Sequence, residues 1–447
     1  MNAGAILAVL AAAAGVLGGL AALLFSCLIR FAASLFLAGA DRLLPVLGTF
    51  RFAAAGFAGG LLVGPIIYFF AREARGHGVP EVMYAVARKG GRIRGRVALV
   101  KAVASAVTIG SGGSAGQEGP IAQIGAAIGS ALGQALHLSD RGIVTLVACG
   151  VAAGISAIFN APFAGALYAL EVVMERPDAG IFGYVFVSSA VADLLVRSLV
   201  GDAPVFAVKS YALVHPLELV LYALLGAAAA VAAWLFMRVF YGAEDLFGRL
   251  RLLPEWMLPA LGGIAFGLCG ALLPQTLGRG EGVAARILEG SLNSAWLLAV
   301  LCFAKILTTS ITLGSGGSGG VLFPALFIGA ALGGSLGSVF HGLLPGLTAG
   351  SGAYALVGMA ALFAAANHAP VTAILLTAEI TRNYRLVLPL MLACGIATLL
   401  SRALSRENID TMKLARRGIF LHRDGFAGGG GAASVPVPVA LQQKAAK

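Results

Sequence analysis

Residues 101–133 read KAVASAVTIGSGGSAGQEGPIAQIGAAIGSALG, and residues 305–337 read KILTTSITLGSGGSGGVLFPALFIGAALGGSLG. Lys101 stands against Lys305 and Pro120 against Pro324, a constant offset of 204. In each copy the pattern predicts an apolar helix running into a glycine-rich loop. A proline then sits in the first turn of a second apolar helix, where its missing N–H costs nothing. Gly78-Val79 matches Gly282-Val283 at the same offset, and Ala161-Pro162 through Glu171-Val172 matches Ala369-Pro370 through Glu379-Ile380 at 208. The chain is one unit of roughly 200 residues used twice. We divide it into a first membrane repeat, 1–210, a second, 211–423, and a Gly/Ala/Pro tail, 424–447, expected to be disordered. No soluble regulatory domain is expected after it.

A unit this apolar belongs in a bilayer. The chain is 59% hydrophobic and 11% charged, with a mean hydropathy of +0.91, which predicts an all-α polytopic membrane protein. The net charge of +11 could mark a nucleic-acid partner. Lys and Arg, however, gather in short loops and the tail, the usual bias of cytoplasmic loops. The five cysteines are scattered through apolar segments without C-x-x-C spacing, so neither a disulfide frame nor a zinc site is indicated. No cofactor is implied.

From Ala3 to about Gly39 an apolar run of nearly two spans is broken by Arg30 and lacks the short h-region of a cleaved signal. Phe52 to Phe70 forms the next span. Gly76-His77-Gly78-Val79-Pro80-Glu81 opens a short helix that ends in the basic loop Arg88 to Arg96, whose counterpart Leu292 to Val300 carries no positive residue. If the basic loop is cytoplasmic, its counterpart lies on the other side and the repeats are inverted in topology. Arg382 and Arg385, after the second Glu, argue the other way. Ile143 to Met174 and Tyr354 to Ile380 are paired apolar helices, each interrupted at an Ala-Pro that follows Asn160 or His368. At membrane depth such breaks are tolerated where the freed backbone is buried in protein or lines a cavity. Leu217 to Tyr241 starts the second half, Met391 to Leu404 ends the apolar segments, and Ser405 to Arg423 is polar, basic and expected in the cytoplasm.

The loops invite two enzymatic readings. Ser114 and Ser318 each sit in a G-x-S-x-G pattern, but the strand that a nucleophile elbow needs is missing and no partnered His and Asp recur with them. A G-x-G-x-x-G match beginning at Gly314 lacks its βαβ unit. An anion pathway fits better. A bare anion in hydrocarbon costs tens of kcal/mol, so its lost water must be replaced by donors. Backbone amides at helix starts, at roughly 1.5–3 kcal/mol per charged hydrogen bond, hold an anion and still release it.

Glu118 is the one acid in either glycine loop, where the second copy has Leu322. A carboxylate in a site built for anions is a tethered competitor, and protonation would free it to swing away as a gate. The plainer alternative is an acid placed on a helix dipole. Within a membrane an ionisable residue is a functional candidate by default. Glu171 and Glu379 recur at matching positions, as structural partners of Arg or of helix ends. Lys101 and Lys305 either snorkel or add positive potential to the pore.

With these residues in view, the chain resembles the CLC family of chloride channels and proton-coupled chloride transporters over about residues 10–420. Gly76-His-Gly-Val-Pro80, Gly116-Gln-Glu-Gly-Pro120 and Gly320-Val-Leu-Phe-Pro324 are similar, in order, to the family's three pore motifs. The resemblance implies a fold of tilted, partly re-entrant helices, a homodimer with one pore per subunit, chloride as the transported ligand, and a bacterial inner membrane. It makes Glu118 the gating glutamate and gathers His77, Gly78, Gln117, Gly119, Val321, Leu322 and Phe323 around the anion, with the amides of Val321 and Leu322 as donors. Several positions depart from the family. His77 replaces a serine, Gln117 a basic residue and Leu322 a phenylalanine. Asp410 stands where a pore tyrosine is usual, and either turns to the cytoplasm or marks a slipped register. Val172 occupies the place of the acid that relays protons from the cytoplasm. Valine cannot carry a proton, so the sequence leans toward a channel-like or weakly coupled conduit, with the chloride/proton antiporter as the alternative.

Overall fold

The computed structural model describes residues 3–43, 45–175, 179–250 and 253–421. The first half runs through α1 (Ala3–Ala33), α2 (Gly39–Leu43), α3 (Arg51–Pro65), α4 (Val79–Arg88), α5 (Arg96–Gly110), α6 (Glu118–Ala135), α7 (Asp140–Phe159), α8 (Pro162–Leu167) and α9 (Phe182–Val200). The second runs through α10 (Glu218–Gly248), α11 (Leu258–Leu272), α12 (Glu281–Leu288), α13 (Ala295–Gly314), α14 (Leu322–Leu343), α15 (Ser351–Asn367), α16 (Pro370–Thr381) and α17 (Val387–Leu404), and α18 (Thr411–Ala415) follows. From α3 onward the helices correspond one to one with α11–α17, and the 31-residue α1 corresponds to the 31-residue α10. Among the described residues nine stretches are long and apolar enough to cross a membrane. The loop 201–217 separates the two runs of helices.

Contacts between the halves pair each position with its counterpart. Gly116 and Gly320 form an antiparallel bridge, their amides and carbonyls exchanging bonds of 2.8 and 2.6 Å. Ser105 Oγ meets Ser318 Oγ at 2.8 Å, and the equivalent Thr309 Oγ1 meets Ser114 Oγ at the same distance. The Ser318 amide donates to Thr108 Oγ1, and the Ser114 amide to Thr312 Oγ1. Equivalent segments running antiparallel through one another are what a two-fold axis produces. The one-sided basic loop places that axis in the membrane plane, so the repeats have inverted topology. Both G-x-S-x-G serines are thus hydroxyls of the cross-repeat seam.

Glu171 and Glu379 stitch the same seam further out. The Glu379 carboxylate accepts from the amides of Phe163 (3.2 Å) and Ala164 (2.7 Å) at the start of α8. Glu171 accepts from the amides of Val371 (3.3 Å) and Thr372 (2.7 Å) at the start of α16, and from Thr372 Oγ1. Each acid therefore caps the re-entrant helix of the other repeat. Of the two expected partners the helix ends are the ones found. The breaks before α8 and α16 have a shared cause. Asn160 (φ 52°) and His368 (φ 55°) end their helices in the left-handed conformation, and proline then opens the next helix.

Helices within a repeat approach backbone to backbone. A Cβ on Gly125 of α6 would lie 2.1 Å from the Gly150 carbonyl oxygen of α7, and one on Gly329 of α14 would lie 2.3 Å from that of Gly358 on α15. In a bilayer, where apolar burial alone does not drive helix association, this close packing supplies dispersion contact.

The N-terminal run is helix as expected, α1 continuing through a π turn into α2 because nothing in 3–33 breaks the backbone. The 31 residues of α1 span about 46 Å at 1.5 Å per residue, so it crosses tilted. Other expectations are corrected. The counterpart of Gly78 is Gly280, since both precede a short helix with positive φ (87° and 82°). The offset there is 202, and Gly282 lies inside α12. Lys101 and Lys305 do not snorkel. Both are fully buried, Lys101 Nζ donating to the carbonyls of Ala74 and Gly76, Lys305 Nζ to those of Thr276 and Gly278. They close the turns that lead into α4 and α12. In the basic segment after α17, Lys413 is buried, with Nζ 3.4 Å from the Arg75 carbonyl oxygen. The tail and Arg176 lie outside the described residues.

Candidate anion pathway and its titratable groups

Three helix starts converge where the two glycine loops cross. Helix α4 begins after Gly78, α6 after Gln117 and α14 after Val321. Their first-turn amides lack intrahelical acceptors and carry the positive end of each helix dipole. Gly119 lets them meet. A Cβ there would fall 2.1 Å from the His77 carbonyl oxygen and 3.1 Å from Gly320 Cα. Gly116 is bare for a related reason, since its Cβ would fall 2.0 Å from Glu118 Oε2.

Glu118 is the first residue of α6 and is completely buried. Its side chain folds back so that Oε2 accepts from the Phe323 amide at 3.4 Å, in the first turn of α14, while Oε1 has no hydrogen-bond partner. The carboxylate oxygen stands in for an anion at that helix start. The amide it takes belongs to Phe323, one and two residues beyond the expected donors Leu322 and Val321. All three residues are buried, and the Phe323 ring stacks on Phe159 and packs against Phe206. Gln117 is buried as well, with Oε1 unpartnered.

His77 and Asp410 come together. Both side chains are 1% exposed, and His77 Nε2 lies 3.3 Å from Asp410 Oδ1, close but not aligned as a hydrogen bond. Asp410 Oδ2 accepts from Asn367 Nδ2 at 2.8 Å, and the Asp410 amide donates to Asn408 Oδ1. Tyr241 Oη donates to the Ile409 carbonyl and holds the loop from the other side. Asp410 therefore does not turn to the cytoplasm. His77 Nδ1 and Nε2 and Asp410 Oδ1 have no hydrogen-bond partner. His77 does not cap α4, whose N-cap is Gly78, and its ring meets Phe240 edge-on.

Two open cavities flank this centre at pseudo-equivalent places. One, of about 390 Å³, lies beside α4 and is lined by Glu73, Glu81, Lys89, Arg92, Arg94 and Gln123. The other, of about 490 Å³, lies beside α12, with Arg279, Glu281 and Arg286 among its lining residues. Arg279 and Glu281 are within electrostatic reach of Glu118, while His77 lies two residues before α4. Inverted repeats put the α4 and α12 cavities on opposite faces, with the His77–Asp410 pair near the start of α4 and Glu118 within reach of charges at the start of α12. Tyr168, buried in the π turn that follows α8, is within electrostatic reach of both carboxylates. Val172 sits in the same turn, 1% exposed in an apolar setting.

Sequence reasoning missed Tyr168, Arg279 and the inward placement of Lys413. Arg279 is the counterpart of His77 once the offset of the short helices is corrected. That correction could have been found in the glycines, since Gly76 and Gly78 match Gly278 and Gly280 in spacing as well as in φ sign.

The comparisons with known proteins agree on the lineage. The profile of the family described as voltage gated chloride channel matches residues 59–402. A relative in Ralstonia nicotianae, described as chloride channel protein ClcB-like, is 38% identical over 80% of this chain and 86% of its own length. The H(+)/Cl(-) exchange transporter ClcA of Cronobacter sakazakii is 32% identical over 91% of this chain and 89% of its own. Among solved structures, a slow cyanobacterial Cl-/H+ antiporter superposes with a TM-score of 0.84 at 27% identity, over 92% of this chain and 97% of that one. A fold of inverted repeats, helix starts gathered on one buried carboxylate, and full-length likeness to these proteins make this chain a member of the CLC, or voltage gated chloride channel, family of membrane anion transporters.

Proposed function

We propose that the chain exchanges chloride for protons across a bacterial inner membrane, with Glu118 as the group that both ions contend for. The observation that carries this reading is the Glu118 carboxylate on the Phe323 amide at the start of α14. Ionised, Glu118 fills a donor site that chloride would otherwise take. Protonated, it loses the charge that holds it there, and the amide is free for an anion. One site that accepts either a tethered carboxylate or chloride, and empties the first by protonation, links the two ions. Relatives named as H(+)/Cl(-) exchangers support exchange over simple conduction.

The channel-like reading retains one specific observation. Val172 is buried among apolar neighbours at the place where the family resemblance puts a proton-carrying acid. In proteoliposomes, Glu118→Gln, a neutral mimic of the protonated side chain, should still pass chloride, with a rate that no longer rises as pH falls and with no accompanying proton flux. A Gln variant that kept the wild-type pH dependence and proton flux would remove Glu118 from the mechanism.

A further inference from the structure

Exchange requires a proton to reach Glu118 from the face it does not look toward, and Val172 offers no atom to carry it. Just before α4, His77 is buried against Asp410. We propose that these two residues form the inner proton station of the exchange cycle, doing at the mouth of α4 what no group at position 172 can do. The inference rests on the exchange reading above.

Three observations point to this pair. Both side chains are 1% exposed, yet the two His77 ring nitrogens and Asp410 Oδ1 lack hydrogen-bond partners, so the pair presents free sites to a proton or a water. The imidazole and the carboxylate lie 3.3 Å apart, close enough to share one proton while the Asn367 amide orients the carboxylate from its other oxygen. The pair also borders the α4 side, whose cavity reaches inward to Gln123, and Gln123 Oε1 lies against Gly78.

The surrounding charges are mixed. Lys101, Lys413 and Arg417 act on His77. Lys413 and Glu175 act on Asp410, and Glu81 acts on both lysines. Tyr168 and Tyr241 are the buried phenols within reach of Asp410. Arg417 is paired with Glu81 at 2.7 Å, and the two lysines donate to backbone carbonyls. Among the described residues, His77 is the group within ion-pair distance of Asp410.

The step is a proton transfer alone. A hydronium ion in the α4 cavity gives its proton to Asp410, forming an O–H bond and leaving water. That bond breaks as the proton leaves the pair for Glu118, whose carboxylate becomes neutral and leaves the Phe323 amide. Chloride then takes the vacated donors and moves the opposite way.

The test uses purified full-length protein in liposomes with a chloride gradient, reading chloride and proton flux together. Asp410→Asn keeps the size of the side chain and an oxygen for Asn367. It should lower the proton-to-chloride ratio at least tenfold, and Asp410→Glu should restore that ratio. His77→Gln, read in the same way, serves should Asp410→Asn fail to fold, and is expected to lower the proton-to-chloride ratio. Wild-type protein that pumps protons, with Asp410→Asn or His77→Gln pumping them equally well, overturns the inference and leaves the exchange reading standing. Wild-type protein that moves no protons removes the exchange reading itself.

Discussion

Glu118 and Asp410 show two ways in which a buried carboxylate is kept in this chain. Glu118 rests on an amide donated by a helix start, and Asp410 leans on one amide side chain and one imidazole. The glycines beside them are as specific as the acids. Gly119 accommodates the His77 carbonyl where a methyl group would stand 2.1 Å away. Gly119→Ala should therefore push α6 off the α4 loop, lower stability by about 1–3 kcal/mol, and reduce chloride flux. A thermal melt in detergent beside a flux assay checks both, and an unchanged melt would show that the loop yields without cost. At this scale Glu118 was legible in the sequence because it breaks the match between the two repeats. The His77–Asp410 contact was not, because one partner precedes α4, the other follows α17, and no periodicity links them. Lys101 and Lys305 were visible as a repeated pair, but their carbonyl acceptors belong to turns whose path depends on positive-φ glycines.

The helices themselves were largely readable from apolar runs bounded by Gly and Pro, and the interrupted pairs α7–α8 and α15–α16 from the repeated Ala-Pro. The cross-capping was not readable as such. An acid with no obvious partner in its own repeat gains meaning when the other repeat's helix start is brought to it, as Glu379 is to α8 and Glu171 to α16. Such charged caps also explain why two short helices can end inside the molecule, since the orphan amides of each first turn are satisfied. Glu379→Gln keeps an acceptor oxygen but loses the charge. It should cost about 1–2 kcal/mol of stability while leaving the proton-to-chloride ratio unchanged, because neither Glu118 nor Asp410 is touched. Paired measurements of melting temperature and coupling ratio check this, and a changed ratio at unchanged stability would assign Glu379 to the pathway.

At the scale of the whole molecule the inverted duplication does more than build a symmetric scaffold. It places one cavity beside α4 and one beside α12, and the sequence has then diverged between the copies. His77 stands before α4 where Arg279 stands before α12, and Glu118 answers Leu322. Ions that approach from opposite faces would therefore meet different chemistry around a shared centre, as the proposed exchange requires. A pore that only conducts has no need of a buried titratable pair beside Glu118. The most direct measurement is made on the unmodified protein in sealed liposomes. An imposed chloride gradient should drive protons uphill, in the direction opposite to chloride, at a ratio that stays fixed as the gradients are varied. Dissipation of the chloride gradient with no proton movement, and a zero-current voltage that follows chloride alone, would contradict the account.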